Sequence, residues 1–582
     1  MWIRNFYKFL EHQAPHAKTV LNDSTLVIDG HNFFYAKYKI SALRYLFGCE
    51  CDRFANFLRE DLSIFQKANV KCYFVFKGGN KDDEKLLNLQ STVDRNLMDR
   101  NSGVQPVLAR EVYKQVLDEM GFDYVICEYT CKRDCVALSR RLNCPLLALD
   151  GEYFFHGVQY APFPSLNFDT SSNILECQIY NIEKFIEKFK LDAEQITIFL
   201  ALFDEKVFAK EFLDDLLRKL RIPLSYPKRH PNFLDWLANN KTKAQEIISK
   251  RISRMEYVKL VSAIEQKRQD FLTPVSGSLA TQYLLNKDQC RITDSDPNWF
   301  AKGVVWKFIP IPYINIYRWR IVEGSWSTED YSAPDSLLLS TPIIRYAFDL
   351  LTNFQGEEIV FRGRRNRESD DGLPILPSIR KPDYGPDNVF QSGWDHVLRY
   401  NLFGHFIAET LHLAVSDNKF QQVPSDAALL FISLIYFSRQ KDTDVSCEVY
   451  AVLLSYVMLG VLNDASTHGG RILDHESTYV KKRMLGYFHV SEEELTEVFD
   501  RQLLHPIVEF QHCLRQINFL NALCGSPFPS TIYSQTYNAT FVYKIVYTMK
   551  HSQKQEHLRE ILQTVPNVNS FHNHLLEIYN KF

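Results

Sequence analysis

Residues 124–157, YVICEYTCKRDCVALSRRLNCPLLALDGEYFFHG, decide how the N-terminal half of the chain is read. Residues 124–127 are a short β-rich run, residues 133–142 space Val136, Ala137 and Leu142 as a helix does, and residues 145–149 form an apolar run of strand length. A strand, a crossover helix and a second strand predict a parallel pairing. Asp150 and Glu152 then fall just past the carboxyl end of the second strand, where open α/β sheets place their ligands.

Working back toward the N-terminus, the same alternation recurs. Residues 26–29 (LVID) read as a buried strand, 31–38 and 54–68 as helices, and 71–76 (KCYFVF) as a second strand ended by Gly78-Gly79. The polar 80–99 segment predicts an exposed helix or arch, and 108–120 a helix closed by Gly121. At least four parallel strands are expected by residue 149, in a three-layer α/β domain.

Toward the C-terminus, residues 177–181 offer one more strand and 182–272 read as helices. The 269–299 segment, with Pro274, Gly277 and Pro297, marks a boundary, and the remainder reads as long helices interrupted by a polar loop at 362–387. The expected division is an α/β domain over 1–165, a helical extension over 166–272, a linker over 273–297 and a mostly α-helical domain over 298–582.

At 582 residues the chain exceeds what one core usually supports, and its 46% hydrophobic and 24% charged residues are those of an ordinary globular protein. A formal net charge of -3 excludes a global positive field that would draw the chain to nucleic acid or an anionic membrane. The 12 scattered cysteines, with no signal-peptide pattern before them, predict free thiols in an intracellular compartment, nuclear or cytoplasmic. The apolar runs 427–437 and 450–462 are short of the roughly 20 residues of a membrane span and predict buried helices.

The chemistry is suggested by acids at the carboxyl ends of neighbouring parallel strands. Mg²⁺-dependent phosphodiesterases need such clusters, because hard cations take oxygen ligands and two metals clamp the attacking and leaving oxygens of a phosphate. The order Asp29 after the first strand, FVFKGGN at 74–80, VLAREVYKQVLDEMG at 107–121 and CPLLALDGEYFF at 144–155 resembles the asteroid family, a branch of the flap-endonuclease and XPG group of PIN-like nucleases. The likeness runs motif by motif over about residues 1–215 and implies a PIN-like, XPG-type fold with an XPG-internal-like helical extension.

Carried over residue by residue, the resemblance implies metal-binding carboxylates at Asp29, Asp150, Glu152 and Glu205, with Asp204 beside the last. It also exposes departures. Lys77 stands at the aspartate of the family's D-G-G motif, and Thr130-Cys131-Lys132 stands where the family has E-A-D. Three expected acids are thereby lost, two of them to lysine, and an ammonium beside Mg²⁺ is repelled. Met1-Trp2 replaces the family's Met-Gly start. Lys81, Lys85, Arg95 and Arg100 fall where flap-type nucleases carry a basic arch, and imply nucleic-acid contact.

Structural readings stand beside these. The acids also suit strand ends and helix caps, and Lys77 and Lys132 suit internal ion pairs that replace the metals by fixed charge. Cys127, Cys131 and Cys135, without zinc-like spacing to further ligands, read as a buried stripe. Arg362, Arg364, Arg365 and Arg367, followed at once by Glu368, Asp370 and Asp371, read as a solvated loop, and His31, His156 and His468 show no catalytic spacing. The resulting expectation is a degenerate nuclease domain acting as a nucleic-acid- or protein-binding scaffold. No cofactor is expected, a protein partner is expected on the helical C-terminal half, DNA or RNA is a further partner, and no membrane is involved. The family also implies a link to EGF receptor signalling. The alternative is an active endonuclease, dependent on Mg²⁺ or Mn²⁺, cutting single-stranded, flap or overhang DNA with a reduced acidic site.

Overall fold

The computed structural model describes residues 6–43, 46–80, 106–205, 207–225, 228–272, 277–286, 298–324, 327–363, 373–377, 379–385, 387–414, 419–463, 474–491, 494 and 498–582. The basic-arch candidates Lys81, Lys85, Arg95 and Arg100, the Met1-Trp2 start, His468 and the 364–371 charge run lie outside the described residues.

Strands β1 (His16–Val20), β2 (Thr25–Asp29), β3 (Lys71–Phe76), β4 (Asp123–Ile126), β5 (Leu146–Ala148), β6 (Tyr160–Pro162), β7 (Asn167–Asp169) and β8 (Ile174–Tyr180) form one sheet in the order β1-β8-β6-β5-β2-β3-β4, with β7 beside β8. From β6 to β4 every pairing is parallel, whereas β8 runs antiparallel to β6, β1 and β7. The parallel strands expected by residue 149 are present. Their order corrects one expectation: β4 and β5, flanking the 124–157 helix, are parallel but not paired, because β3 and β2 lie between them. β1, β6 and β7 escaped the sequence reading for a physical reason. HAKTV is mostly exposed and lacks apolar alternation, while YAP and NFD span three residues each.

Side chains alternate across this sheet, so each strand feeds two cores. Leu26, Ile28, Phe74 and Phe76 face one side, covered by helices α2 (Gly30–Ile40), α3 (Cys51–Lys67) and α4 (Ala109–Glu119). Val27, Tyr73, Val75 and Val125 face the other, covered by α1 (Phe6–Gln13), which precedes them in the chain, and by α5 (Lys132–Leu142) and α6 (Ala193–Phe203). On that second side α7 (Arg254–Leu272) packs on α6, and α8 (Leu279–Leu285) packs on α5 and β4. The stretch expected to be a linker thus contains a helix with Ala280, Thr281 and Leu284 buried.

Beyond residue 298 the chain is mostly helical, including α9 (Ile311–Trp319), α10 (Ala428–Gln440), α11 (Ser446–Leu462), α12 (Arg501–Leu523) and α13 (Ala539–Met549). A small sheet of β9 (Ile321–Glu323), β10 (Ile359–Arg362) and β11 (Leu373–Ile375) interrupts them, so Arg362 ends a strand. The two long apolar runs are the buried helices α10 and α11, and no helix among the described residues is long and apolar enough to cross a membrane.

These helices do not build a separate core. Their buried residues join the cluster on the α2–α3–α4 side of the sheet, which runs from Leu21 to Ile578. Polar contacts fix the register: Thr540 Oγ1 donates to Glu50 at 2.7 Å, Asn538 Nδ2 to Asp52 at 2.6 Å, and Gln511 Nε2 to the Phe47 carbonyl at 3.1 Å. Gly48, at φ +105°, is required there, since a Cβ would come within 2.4 Å of the Gln511 amide.

Candidate functional site

Three strand ends meet where the acids were expected. Asp29 closes β2 and caps α2, its Oδ1 accepting from the Asn32 backbone N–H at 2.9 Å. Its Oδ2 accepts from the Tyr153 hydroxyl at 2.7 Å, and the Cys131 thiol lies 3.8 Å from Oδ1. With 1% exposure, burial pushes the Asp29 pKa up, against the opposing pull of these hydrogen bonds. Asp29 is an internally satisfied acid.

Asp150 follows β5, its backbone N–H donating to Asn32 Oδ1 at 3.0 Å, so one asparagine ties the ends of β2 and β5 together. Its Oδ1 accepts from the Glu152 N–H at 3.0 Å, which starts the one-turn helix Glu152–Phe155. The other oxygen is 2.7 Å from the Lys132 ammonium, and the same ammonium is paired with Glu152 Oε2. Lys132 is the first residue of α5, so the crossover helix delivers a cation between the two carboxylates. Burial disfavours charge on both Lys132 and Glu152, but their attraction prevails: the Lys132 pKa is raised and that of Glu152 is lowered.

Thr130 and Lys77, the other two positions where the resemblance expects acids, are arranged differently. Thr130 is exposed, its hydroxyl accepting weakly from the Lys132 N–H at 3.4 Å. Lys77 donates to Asn80 Oδ1 at 2.8 Å, and Asn80 is gripped by α9: its N–H donates to Asn315 Oδ1 at 2.7 Å and its carbonyl accepts from Trp319 Nε1 at 2.9 Å. Gly78 and Gly79 keep a backbone task, donating to the Tyr129 and Glu128 carbonyls at 2.7 and 2.9 Å. A Cβ on Gly78 would lie 1.8 Å from the Cys127 carbonyl, which explains why glycine stands there. Glu323 at the end of β9 feels the Lys77 charge; burial nonetheless pushes its carboxyl up to about 7.

Glu205 is exposed at the end of α6, whereas its neighbour Asp204 is buried and pairs with Lys267 of α7 at 2.6 Å. The structure therefore brings together Asp29, Asp150, Glu152 and Lys132, and uses Asp204 as a helix-to-helix tie. Cys127, Cys131 and Cys135 are buried as free thiols.

Asp134, which motif reading passed over, is 4% exposed and carries a dense set of contacts. Its Oδ1 accepts from the Ser278 N–H at 2.9 Å, the Ser278 hydroxyl at 2.6 Å and the Thr281 hydroxyl at 2.7 Å, and its Oδ2 from the Cys127 thiol at 3.5 Å. The signal available was an acid inside the apolar face of α5, two residues past Lys132. Its Ser278 and Thr281 partners lie beyond residue 277, and only the fold brings them near.

Mg²⁺ or Mn²⁺ is the cofactor implied by the acids, and the residues present do not fit it. A hard dication needs several free oxygen ligands. Here an ammonium occupies the Asp150 and Glu152 pair, both Asp29 oxygens are engaged, and among the described residues no group of three or more His, Cys, Asp or Glu is arranged to hold a metal ion. A dication about 4 Å from an ammonium is repelled by about 8 kcal/mol at an effective dielectric of about 20.

A family model described as the Asteroid N-terminal domain matches residues 426–582. The human protein named single-strand DNA endonuclease ASTE1 is 23% identical over 93% of this chain and 85% of its own length. The Drosophila melanogaster protein asteroid is 19% identical over 93% of this chain and 87% of its own. A solved structure of human GEN1 in complex with Holliday junction DNA aligns at 13% identity over 55% of this chain and 80% of that one, with a TM-score of 0.29. The chain is thus similar to asteroid relatives along nearly its whole length.

Proposed function

We propose that this asteroid-like chain is a nuclease-shaped binding module, for nucleic acid or protein, whose acidic site does not run metal-dependent phosphodiester hydrolysis. The observation that carries the reading is the Lys132 ammonium seated between Asp150 and Glu152. A fixed cation there satisfies the carboxylates from within, so the site is electrostatically complete without a metal.

The competing reading is an active endonuclease on single-stranded, flap or overhang DNA, and what supports it is the name of relatives such as human single-strand DNA endonuclease ASTE1. The two are separated by incubating the full chain with such DNAs in Mg²⁺ or Mn²⁺. No cleavage is expected, and cleavage that disappears in Asp150→Asn overturns the proposal. In the combined variant Lys77→Asp, Thr130→Glu and Lys132→Asp, calorimetry is expected to detect Mn²⁺ binding that the natural chain lacks; Mn²⁺ binding of equal strength in the natural chain also overturns it.

A further inference from the structure

The helix α7 turns one face inward and leaves the other uncovered among the described residues. Leu260, Ala263, Ile264 and Lys267 are buried, and the face packs on α6. On the outward side Met255 is 81% exposed, Val258 62% and Val261 43%. Their spacing of three residues makes a ridge along the first half of the helix, the pattern by which helices meet one another. Single exposed apolar residues are ordinary, whereas a row on one helix is a contact surface.

The row lies among positive charges. Lys241, Lys243, Lys250, Arg251, Arg254 and Lys259 are exposed along the approach to the ridge and beside it. Lys250 is neutralised by Glu246 at 2.5 Å, and Glu256 accepts from the Ser253 N–H at 2.7 Å. Among the described residues Arg251, Arg254 and Lys259 have no carboxylate at ion-pair distance. Lys259 is held with its ammonium 5.4 Å from the centre of the Phe208 ring, which fixes one edge of the surface. In a chain of net charge -3 this is a local concentration of one sign.

We infer that the outward face of α7 is a docking surface for an acidic amphipathic helix of a partner protein, whose apolar side covers Met255, Val258 and Val261 while its carboxylates meet Arg251, Arg254 and Lys259. Charge complementarity selects an acidic partner and guides its approach. The apolar ridge selects a protein over a nucleic acid, because a phosphate backbone gains nothing from covering methionine and valine. The inference names a partner for the binding module proposed above but uses none of the residues of the Lys132 cluster. Docking can therefore be measured in EDTA, where nuclease activity plays no part, and either reading can fail without the other.

The test uses the full chain and a fluorescent synthetic helix with leucines on one face and glutamates beside them, against a lysine-flanked version of the same helix and against single- and double-stranded DNA oligonucleotides. Anisotropy is expected to show binding of the acidic helix alone, weakened at least about tenfold by Met255→Ser with Val258→Ser and, separately, by Arg251→Glu with Arg254→Glu. All four positions are exposed, so circular dichroism should show the variants folded. The inference is overturned if the acidic helix does not bind, or if its binding ignores the serine pair. It is equally overturned if the oligonucleotides bind this face, their affinity falling with the glutamate pair and unchanged by the serine pair.

Discussion

Lys132 draws its partners from another strand-to-helix turn, so removing it leaves two carboxylates facing each other. Breaking a buried pair costs about 3 to 5 kcal/mol, and discounting for side chains that are 26%, 22% and 10% exposed gives about 2 kcal/mol for Lys132→Met. The sign of the pH dependence follows from the two shifts. The lowered Glu152 pKa contributes stability above its unfolded value of about 4.3, lost as pH falls through the folded one; the raised Lys132 pKa contributes stability below about 10.4, lost as pH rises through the folded one. Urea denaturation should therefore show natural chain and variant furthest apart near neutral pH and converging in acid. A gap that stays constant down to the folded range of Glu152 would remove the ion pair from the account. A lysine at this position was legible in the sequence, and the resemblance sets an acid there as its expectation. That it reaches both Asp150 and Glu152 was only one of the readings open, since nothing in the spacing of 132, 150 and 152 fixes where an ammonium points.

At the scale of elements, α5 and α8 are joined through Asp134. Replacing it by Ala leaves the buried Thr281 hydroxyl without its acceptor and frees the N–H and hydroxyl of the exposed Ser278, at a cost of about 1 kcal/mol. The loss is local, so amides of Leu279–Leu285 should exchange with solvent faster while those of β2 and β3 keep their protection, measured by hydrogen exchange. Equal loosening of the whole sheet would show that α8 is not an independent strap. The periodicity of the chain announced α5, α3 and α4 well, because their apolar positions recur at helical spacing over 11 to 17 residues. It missed α8 because LATQYLL spans seven residues inside a stretch punctuated by proline, glycine and short polar residues.

For the whole molecule, the consequence of one shared core is that the two halves are not independent. The surface formed by Phe34, Phe54, Leu58 and Tyr113 belongs to the same cluster as Phe510, Tyr537 and Phe541. A 1–272 fragment would expose the edge of that cluster, together with Glu50 and Asp52, which lose Thr540 and Asn538. We expect it to bind a hydrophobic dye and aggregate, while the full chain melts in one cooperative transition. A fragment that stays monomeric and shows native-like near-UV circular dichroism would contradict the shared core.

By itself the sequence determined the parallel β2, β3, β4 and β5 strands, the helices between them and the buried nature of α10 and α11, because hydrophobic period is a local property of the chain. Only the tertiary structure decided the rest. Strand order, the seating of Lys132 between Asp150 and Glu152, the use of Asp134 to hold a distant helix, and the merging of the C-terminal helices into the core beneath α2, α3 and α4 all join residues far apart in sequence. Such contacts are chosen by complementary surfaces and by the need to satisfy buried polar groups, and no local pattern encodes which partner will meet which.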